Sequence, residues 1–147
     1  IHELKYRNLR SIASLLASLL QGYLLQNPLP AEVLVPVPLH QKRLKERGYN
    51  QAELLSRELG KLASLPVVID HLRRTKYISP QALTDSVRER LQNVREAFIC
   101  PGKDIQGKQV LLIDDVTTSG ATLEECARVL KLAGAKTVWG LVVASEI

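Results

Sequence analysis

The chain has 147 residues, of which 46% are hydrophobic and 24% are charged, and 20 Lys and Arg against 15 Asp and Glu give a formal net charge of +5. This length and apolar fraction predict one globular domain with its own core, and they exclude collagen-like, low-complexity and disulfide-scaffold proteins. The two cysteines, Cys100 and Cys126, are too few for a four-ligand zinc site and indicate small buried side chains in a reducing cytoplasm.

The first predicted element is an amphipathic helix. Its apolar residues recur at helical spacing: Leu9, Ile12, Leu16, Leu19, Leu20 and Tyr23. The apolar stretch over residues 15–25 is interrupted by polar residues and is shorter than the roughly 20 residues that a membrane span needs. We therefore expect no membrane span, no signal peptide and a cytoplasmic location. Because the chain contains no methionine, we also expect that Ile1 follows a segment of a longer protein.

Short strands and helices alternate in the middle of the chain. Residues 32–38 predict a strand that ends in a proline-stiffened loop. Asn50, with Glu53 three residues later, predicts the start of a helix over residues 51–62. Residues 67–69 and 97–99 predict two further short strands. Residues 73–86 are polar and aperiodic, which predicts a long mobile loop, and Ser86 with Glu89 predicts the start of a short helix.

The clearest pattern lies near the end of the chain. Val110-Leu111-Leu112-Ile113 is an uninterrupted apolar run, typical of a parallel strand that is covered on both faces. A turn of small and hydroxylated residues follows it, then a predicted helix over residues 122–133 and a predicted strand over residues 137–143. This order predicts an α/β fold in which helices flank a parallel sheet, with a ligand at the carboxyl ends of the strands.

The turn after this strand has the composition of a phosphate site. Helix N-termini attract anions through free N–H groups and the helix dipole, and Gly120 permits close backbone approach. The hydroxyl residues are Thr117, Thr118, Ser119 and Thr122. Asp114 and Asp115 would repel phosphate, so we expect them to bind ribose hydroxyls or a metal ion. The sequence thus predicts a ribose-phosphate site, and loop acids beside an ordinary helix cap are the alternative.

Other nucleotide-binding patterns fit poorly. The chain has neither a P-loop nor a dinucleotide glycine fingerprint. Receiver domains also carry an acid pair after a strand, but most of their length follows that pair, whereas only 32 residues follow Asp115 here.

Residues 110–122 closely resemble the phosphoribosyl pyrophosphate (PRPP) binding motif of type I phosphoribosyltransferases. Further segments narrow the resemblance: Leu4-Lys5-Tyr6, Val35-Pro36-Val37-Pro38-Leu39-His40, Arg43, Arg47-Gly48-Tyr49-Asn50-Gln51, Leu72-Arg73-Arg74-Thr75, Gln81, Leu83, Arg88, Asn93-Val94 and Ala97-Phe98. Together they resemble the ComF family, the amidophosphoribosyltransferase-like proteins associated with bacterial competence. The likeness spans almost the whole chain.

The resemblance implies that residues 1–147 form a type I phosphoribosyltransferase-like domain, preceded in the family by a cysteine-rich, zinc-binding module. It implies PRPP as ligand, Mg²⁺ as cofactor and phosphoribosyl transfer, a glycosyltransferase reaction, as the activity. Asp114 and Asp115 would be the catalytic residues and would hold the ribose hydroxyls directly or through Mg²⁺. The implied PRPP-binding residues are Asp114, Asp115, Val116, Thr117, Thr118, Ser119, Gly120, Ala121 and Thr122.

The resemblance also places the pyrophosphate beside the loop after the first strand. The implied pyrophosphate and lid residues are Pro38, Leu39, His40, Arg43, Arg47, Arg73, Arg74, Lys76 and Arg88. No residues that would recognise a base can be identified, so the acceptor is open. For His40 and Cys126 the alternatives are a structural and a core role, and Trp139 is predicted to be core.

The basic residues permit a second hypothesis from a different functional class. They could form a surface for single-stranded DNA, in a non-catalytic module of DNA uptake whose PRPP-type site is a sensor or a relic, with competence-machinery proteins as partners. Bases are usually bound by stacking aromatics, and only Tyr49 and Tyr77 lie near these charges. A solvated helical face is the simpler alternative. The sequence leaves the oligomeric state open.

Overall fold

The computed structural model describes residues 2–77, 94–117 and 119–145. Its elements, in chain order, are α1 (His2–Gln26), β1 (Val33–Pro36), α2 (Gln41–Arg47), α3 (Gln51–Ala63), β2 (Arg73–Arg74), β3 (Phe98–Ile99), β4 (Gln109–Thr117), α4 (Ala121–Leu132) and β5 (Thr137–Ser145). Within these ranges no helix has the length and apolar character to cross a membrane. The short helix predicted to begin at Ser86 and Glu89 falls outside the described residues.

The main sheet is parallel, with strand order β1-β4-β5. Val33 of β1 lies opposite Val110 of β4, and Ile113 of β4 lies opposite Leu141 of β5. The backbone N–H of Val37 extends the first pairing by donating to the carbonyl of Ile113 at 2.9 Å. The carboxyl ends of β1 and β4 therefore meet at one edge of the sheet, as the sequence predicts for an α/β fold.

Helices cover both faces of this sheet. Val110 and Leu112 face a cluster that includes residues of α4 and β3, whereas Leu111 and Ile113 face a cluster formed with α1 and α3. Since both faces are buried, every residue of this part of β4 is apolar. The predicted core positions of Cys126, fully buried in α4, and of Trp139, packed against the α1 and α3 cluster, are confirmed.

A second, smaller sheet lies beside the first cluster. Arg73 and Arg74 pair in antiparallel fashion with Ile99 and Phe98. Thr75 continues the pairing, since its N–H and its hydroxyl both donate to the carbonyl of Ala97, at 2.7 and 3.1 Å. The prediction of one loop over residues 73–86 is therefore wrong at its start, because the partner strand that orders Arg73 and Arg74 is distant in the sequence. Residues 78–86 lie outside the described part.

Two other local predictions differ from the structure. Residues 67–69 form no strand, and only Val67 makes an isolated parallel bridge, to Leu34. The expected loop after β1 contains a helical segment, α2, whose N-cap is His40 and which ends at Gly48 with φ of 88°. α2 has no buried residue, so it leaves no apolar periodicity in the sequence.

Candidate functional site

The acid pair lies where the buried part of β4 ends. Asp114 and Asp115 are half-buried, and they follow four fully buried residues, Val110 to Ile113. The loop after β1, which begins at Val37, starts beside them because β1 and β4 are neighbours in the sheet. The structure therefore brings the predicted ribose-binding acids to the same sheet edge as the predicted pyrophosphate loop.

The two acids interact directly. The backbone N–H of Asp115 donates to Oδ1 of Asp114 at 2.9 Å. The pKa of Asp114 is raised to about 7, mainly by burial and also by the neighbouring carboxyl of Asp115, while the donated N–H opposes the rise. Burial and the neighbouring carboxyl thus favour the protonated form of Asp114. Ligand hydroxyls or a cation would stabilise its charged form.

The turn between β4 and α4 is held by hydroxyl groups. Oγ1 of Thr117 accepts from the N–H of Gly120 at 3.1 Å, and Oγ of Ser119 accepts from the N–H of Ala121 at 3.3 Å. Each hydroxyl keeps its own proton for donation to a ligand. Gly120 has φ of 77°, a conformation that side chains disfavour, and the space beside its Cα is open. Thr117, Ser119 and Gly120 therefore combine hydroxyl protons that can be donated with an approachable surface at the N-terminus of α4.

The remaining predicted phosphate residues occupy different environments. Ala121 is buried and Thr122 is half-buried in the first turn of α4, whereas Val116 is exposed. Thr118 lies outside the described residues. At these positions Val116 and Ala121 can contribute to phosphate binding through their backbone groups and not through their apolar side chains.

A cleft of about 660 Å³ opens between the β1 loop, α2 and the small sheet. It gathers five of the residues predicted to bind pyrophosphate or close over it: Pro38, Leu39, His40, Arg73 and Arg74. Sequence reasoning missed the rest of its lining, namely Gln41, Leu44, Asp70, Leu72, Thr75 and Ile99. These residues are brought together by α2, which has no apolar periodicity, and by the pairing of β2 with β3, which no local pattern in the sequence contains.

Arg43, Arg47 and Lys76 do not line this cleft, and each is engaged elsewhere. Nη1 of Arg43 lies 4.0 Å from Oε2 of Glu46, and the Arg47 guanidinium lies 5.7 Å from the ring centroid of Tyr49. Nζ of Lys76 donates to the carbonyl of Arg95 at 2.7 Å. Arg88 lies outside the described residues.

Arg74 is the most enclosed of the cleft cations. Its guanidinium lies over the ring of Phe98, 5.1 Å from the centroid, and its Nε donates to the carbonyl of Lys76 at 3.3 Å. Burial lowers the pKa of Arg74, and the side chain stays charged at neutral pH because guanidinium is so basic. A cation fixed in this way is oriented before an anion arrives.

His40 has a clear structural role. Its Nδ1 accepts from the N–H of Lys42 at 3.0 Å, which caps α2, and its ring lies 5.5 Å from the ring of Tyr77. Tyr77 in turn donates to Oε1 of Glu46 at 2.7 Å and lies under Nζ of Lys42, 4.5 Å from the ring centroid. The segment that follows β2 is thereby attached to α2.

The acid pair suits a hard divalent cation. Mg²⁺ prefers oxygen ligands and is commonly held by one or two carboxylates together with substrate phosphates. Asp114 and Asp115 supply two adjacent, half-buried carboxyl groups. In the described ranges no three His, Cys, Asp or Glu side chains form a metal cluster, so a cation here would take its other ligands from substrate and water.

Residues 44–146 match the phosphoribosyl transferase domain family. The chain is 37% identical to Competence protein F of Haemophilus influenzae over 114 residues, 75% of this chain and 49% of that protein. It is 34% identical to the DNA utilization protein YhgH of Escherichia coli K12 over 144 residues, 94% of this chain and 62% of that protein. It is 33% identical to Competence protein ComFC of Bacillus subtilis over 99 residues, 67% of this chain and 38% of that protein. The chain thus spans about half the length of these relatives.

Solved structures agree on the fold. The glutamine phosphoribosylpyrophosphate amidotransferase of Bacillus subtilis matches with a TM-score of 0.57 and 18% identity, over 92% of this chain and 26% of that chain. A hypoxanthine phosphoribosyltransferase of Staphylococcus aureus matches with a TM-score of 0.53 and 16% identity, over 90% and 62%. The sheet topology, the domain match and the identity to these relatives together make the chain a member of the ComF family with a type I phosphoribosyltransferase fold.

Proposed function

We propose that this chain binds PRPP together with Mg²⁺ and transfers its phosphoribosyl group, as part of a protein that serves DNA uptake. The observation that carries the proposal is the order of groups along one sheet edge. An acid pair is followed by a hydroxyl turn at the N-terminus of α4, and both adjoin the loop that leads into a cleft containing Arg73 and Arg74.

Each part of this edge matches one part of the ligand. Asp114 and Asp115 would accept hydrogen bonds from the ribose hydroxyls. The turn would bind the 5′-phosphate through the hydroxyls of Thr117 and Ser119 and through the remaining N–H groups of the first turn of α4, since those of Gly120 and Ala121 already donate to these hydroxyls. The cleft, with its fixed Arg74, would receive the pyrophosphate.

The reaction would break the bond between ribose C1 and the pyrophosphate oxygen, and the electron pair of that bond would leave with the pyrophosphate. Carboxylates near the ribose would stabilise the positive charge that develops at C1, and cations in the cleft would stabilise the negative charge on the leaving group. Bound Mg²⁺, held by Asp114 and Asp115 with the ligand, would supply further charge neutralisation. An acceptor nucleophile would then bond to C1.

Calorimetric titration with PRPP, with and without Mg²⁺, tests ligand binding. We expect the native chain to bind, and the Asp114→Asn/Asp115→Asn variant to lose most of its affinity. Glu32→Gln is the control, because Glu32 is an exposed acid at the amino end of β1, away from the acid pair, and glutamine can keep the acceptor for the N–H of Gln109, so the affinity should stay unchanged. Absence of binding by the native chain would contradict the proposal.

Catalysis needs a separate experiment. Purine and pyrimidine bases are supplied one at a time with PRPP and Mg²⁺, and released pyrophosphate is measured. Release that depends on one base, and on Asp114 and Asp115, identifies an enzyme and its acceptor. If PRPP binds but no base causes release of pyrophosphate, the chain is a PRPP-binding module.

Single-stranded DNA binding is the second candidate function, favoured by the names of the relatives and by α2. This helix has no buried residue and carries the basic side chains Lys42, Arg43, Lys45 and Arg47. If they contact phosphates, affinity for single-stranded DNA should fall steeply as salt rises, and Arg43→Ala/Arg47→Ala should reduce the salt slope by about 1 to 2. Arg57→Ala on α3 is the control. Weak, salt-insensitive binding would eliminate this candidate.

A cytoplasmic location stays a prediction.

A further inference from the structure

Strand β5 lies at one end of the strand order β1-β4-β5. In the described part of the chain β5 pairs with β4 alone, so the backbone groups along its other side have no strand beside them. The nine residues of β5, Thr137-Val-Trp-Gly-Leu-Val-Val-Ala-Ser145, include no charged residue and no proline. Free edge strands usually carry such residues, which prevent pairing with another chain. β5 therefore has the composition of a strand that pairs.

Helix α1 has an exposed apolar stripe. Four large side chains spaced three or four residues apart are at least half exposed: Ile12 at 50%, Leu15 at 65%, Leu19 at 63% and Tyr23 at 54%. This spacing puts them on one face of the helix. The residues of α1 that pack on the sheet side, Ala13, Ala17 and Leu20, are buried. We call these four residues the apolar stripe. They form an exposed apolar face on a helix whose other apolar face packs against the sheet.

The apolar stripe and the free edge of β5 lie on the same side of the molecule. Arg10 and Gln21 mark the flank of α1 that faces α3, through contacts with Glu58 and with the carbonyl of Leu62. At 3.6 residues per turn the apolar stripe lies on the opposite flank. Since α3 packs over β1 and β4, that opposite flank points toward β5, and Trp139 and Val143 of β5 join the same cluster as α1. The apolar stripe and the unpaired side of β5 thus belong to neighbouring elements, and we call them together the β5 surface.

We propose that this surface binds a second copy of the chain, with the two β5 strands antiparallel across a two-fold axis. The strand is self-complementary in this arrangement. With Leu141 on the axis, Trp139 lies opposite Val143 of the second copy, an aromatic and β-branched pair of the kind that stabilises sheets. The same register places Gly140 opposite Val142 and Thr137 opposite Ser145.

The same axis also brings the helices together. A two-fold axis perpendicular to a sheet keeps equivalent faces on the same side, so the two α1 helices would lie next to each other with their apolar stripes in contact. No residue between Ser11 and Ala31 is charged, so this contact buries no charge on α1.

The area is adequate for a specific dimer. Taking about 180 Å² for a large apolar side chain, the four stripe residues leave on the order of 400 Å² exposed in each copy. Two stripes would bury at most about 800 Å², and paired strands add to this toward the roughly 1,000 Å² that a specific interface needs.

Sedimentation velocity of the native chain at increasing concentration tests the proposal. We expect a dimer whose dissociation constant rises at least about a hundredfold in Leu15→Glu/Leu19→Glu, because the added carboxylates must lose water on association. Leu132→Glu is the matched control: Leu132 is 75% exposed but lies on α4, which covers the other face of the sheet. Circular dichroism establishes that each variant keeps its fold.

Hydrogen exchange separates strand pairing from helix contact. In the native dimer we expect amides of β5 to exchange more slowly than in the monomeric Leu15→Glu/Leu19→Glu variant. A native chain that stays monomeric at every concentration would overturn the proposal and leave this surface to another segment or a different protein. A dimer that survives both substitutions, or β5 exchange that is equal in dimer and monomer, would also overturn it.

Discussion

The backbone N–H of Asp115 lies 2.9 Å from Oδ1 of Asp114 and donates a hydrogen bond to it. The acid pair is therefore a structural unit before any ligand binds, with one carboxyl tied to the backbone of the other. The pKa of Asp114 is nevertheless raised to about 7, because burial outweighs this single donor. The buried acid pair therefore lowers the stability of the fold and is suited to binding a ligand.

The first prediction concerns the pH dependence of folding. The pKa of Asp114 is about 7 in the folded chain against an ordinary 3.8. Below the ordinary value both states are protonated; as pH rises to about 7 the unfolded state ionises first, so stability falls. Asp114→Asn should therefore raise the free energy of unfolding near pH 8 by roughly 1 to 3 kcal/mol, and have little effect near pH 4.

Urea unfolding at both pH values measures this effect, with the exposed Glu32→Gln as the control. The same Asp114→Asn substitution should weaken PRPP binding, so stability and affinity should change in opposite directions. A variant that is equally stable at both pH values relative to the native chain would contradict the burial argument.

Gly120→Ala tests the geometry of the turn. Because Gly120 has φ of 77°, an alanine there should cost about 1 kcal/mol of unfolding free energy. The open space beside it means that the loss comes from backbone strain and not from a clash. Gly22→Ala is the matched control: Gly22 lies inside α1 with open space beside it, so alanine should stabilise by about 0.5 to 1 kcal/mol. Equal effects of both substitutions would refute the strain argument.

Ser56→Ala should stabilise the chain or leave its stability unchanged. Ser56 is fully buried in α3, and its hydroxyl has no hydrogen-bond partner among the described residues. Removing an unsatisfied buried hydroxyl should add up to about 1 kcal/mol of unfolding free energy. Ser11→Ala is the comparison, because the exposed Ser11 hydroxyl donates to the carbonyl of Arg7 at 3.0 Å. A loss well above 1 kcal/mol for Ser56→Ala would reveal a partner for this hydroxyl.

His40 can be tested for capping and for anion binding separately. His40→Ala removes the acceptor for the Lys42 N–H, so amide exchange at Lys42 should accelerate about fivefold, the equivalent of about 1 kcal/mol. His40→Asn retains a capping acceptor and should exchange nearly as the native chain does. Titration with PRPP completes the comparison. A role limited to capping predicts near-native affinity for His40→Asn, whereas equal losses of affinity in both variants would assign the imidazole to the ligand.

The sequence predicted β4, the turn and α4 because all their determinants are local. An apolar run, an acid pair, a hydroxyl turn and a terminal glycine follow one another without interruption, and the structure keeps that order. α2 was missed because it has no apolar pattern. α2 has only polar or exposed residues, although the basic run ending at Gly48 is typical of a helix C-terminus and could have indicated it.

The pairing within the small sheet and the apolar part of the cleft could not be predicted from the sequence. Arg73 and Arg74 form a strand because Phe98 and Ile99 pair with them, and no pattern within residues 73–86 contains that information. The same pairing brings Ile99 and Thr75 into the cleft. The acid pair and the phosphate turn were thus predictable, whereas the apolar part of the cleft depended on tertiary pairing.

The position of β4 between β1 and β5 has a consequence for how the chain folds. Val33 must pair with Val110, so β1 has no partner in the main sheet until most of the chain has been synthesised. Until then α1 and α3 have no completed sheet on which to bury Leu20 and Leu59. Contacts that distant in sequence slow folding and prolong the exposure of apolar surface. A nascent chain that stops before residue 109 should accordingly bind holdase chaperones and aggregate once released.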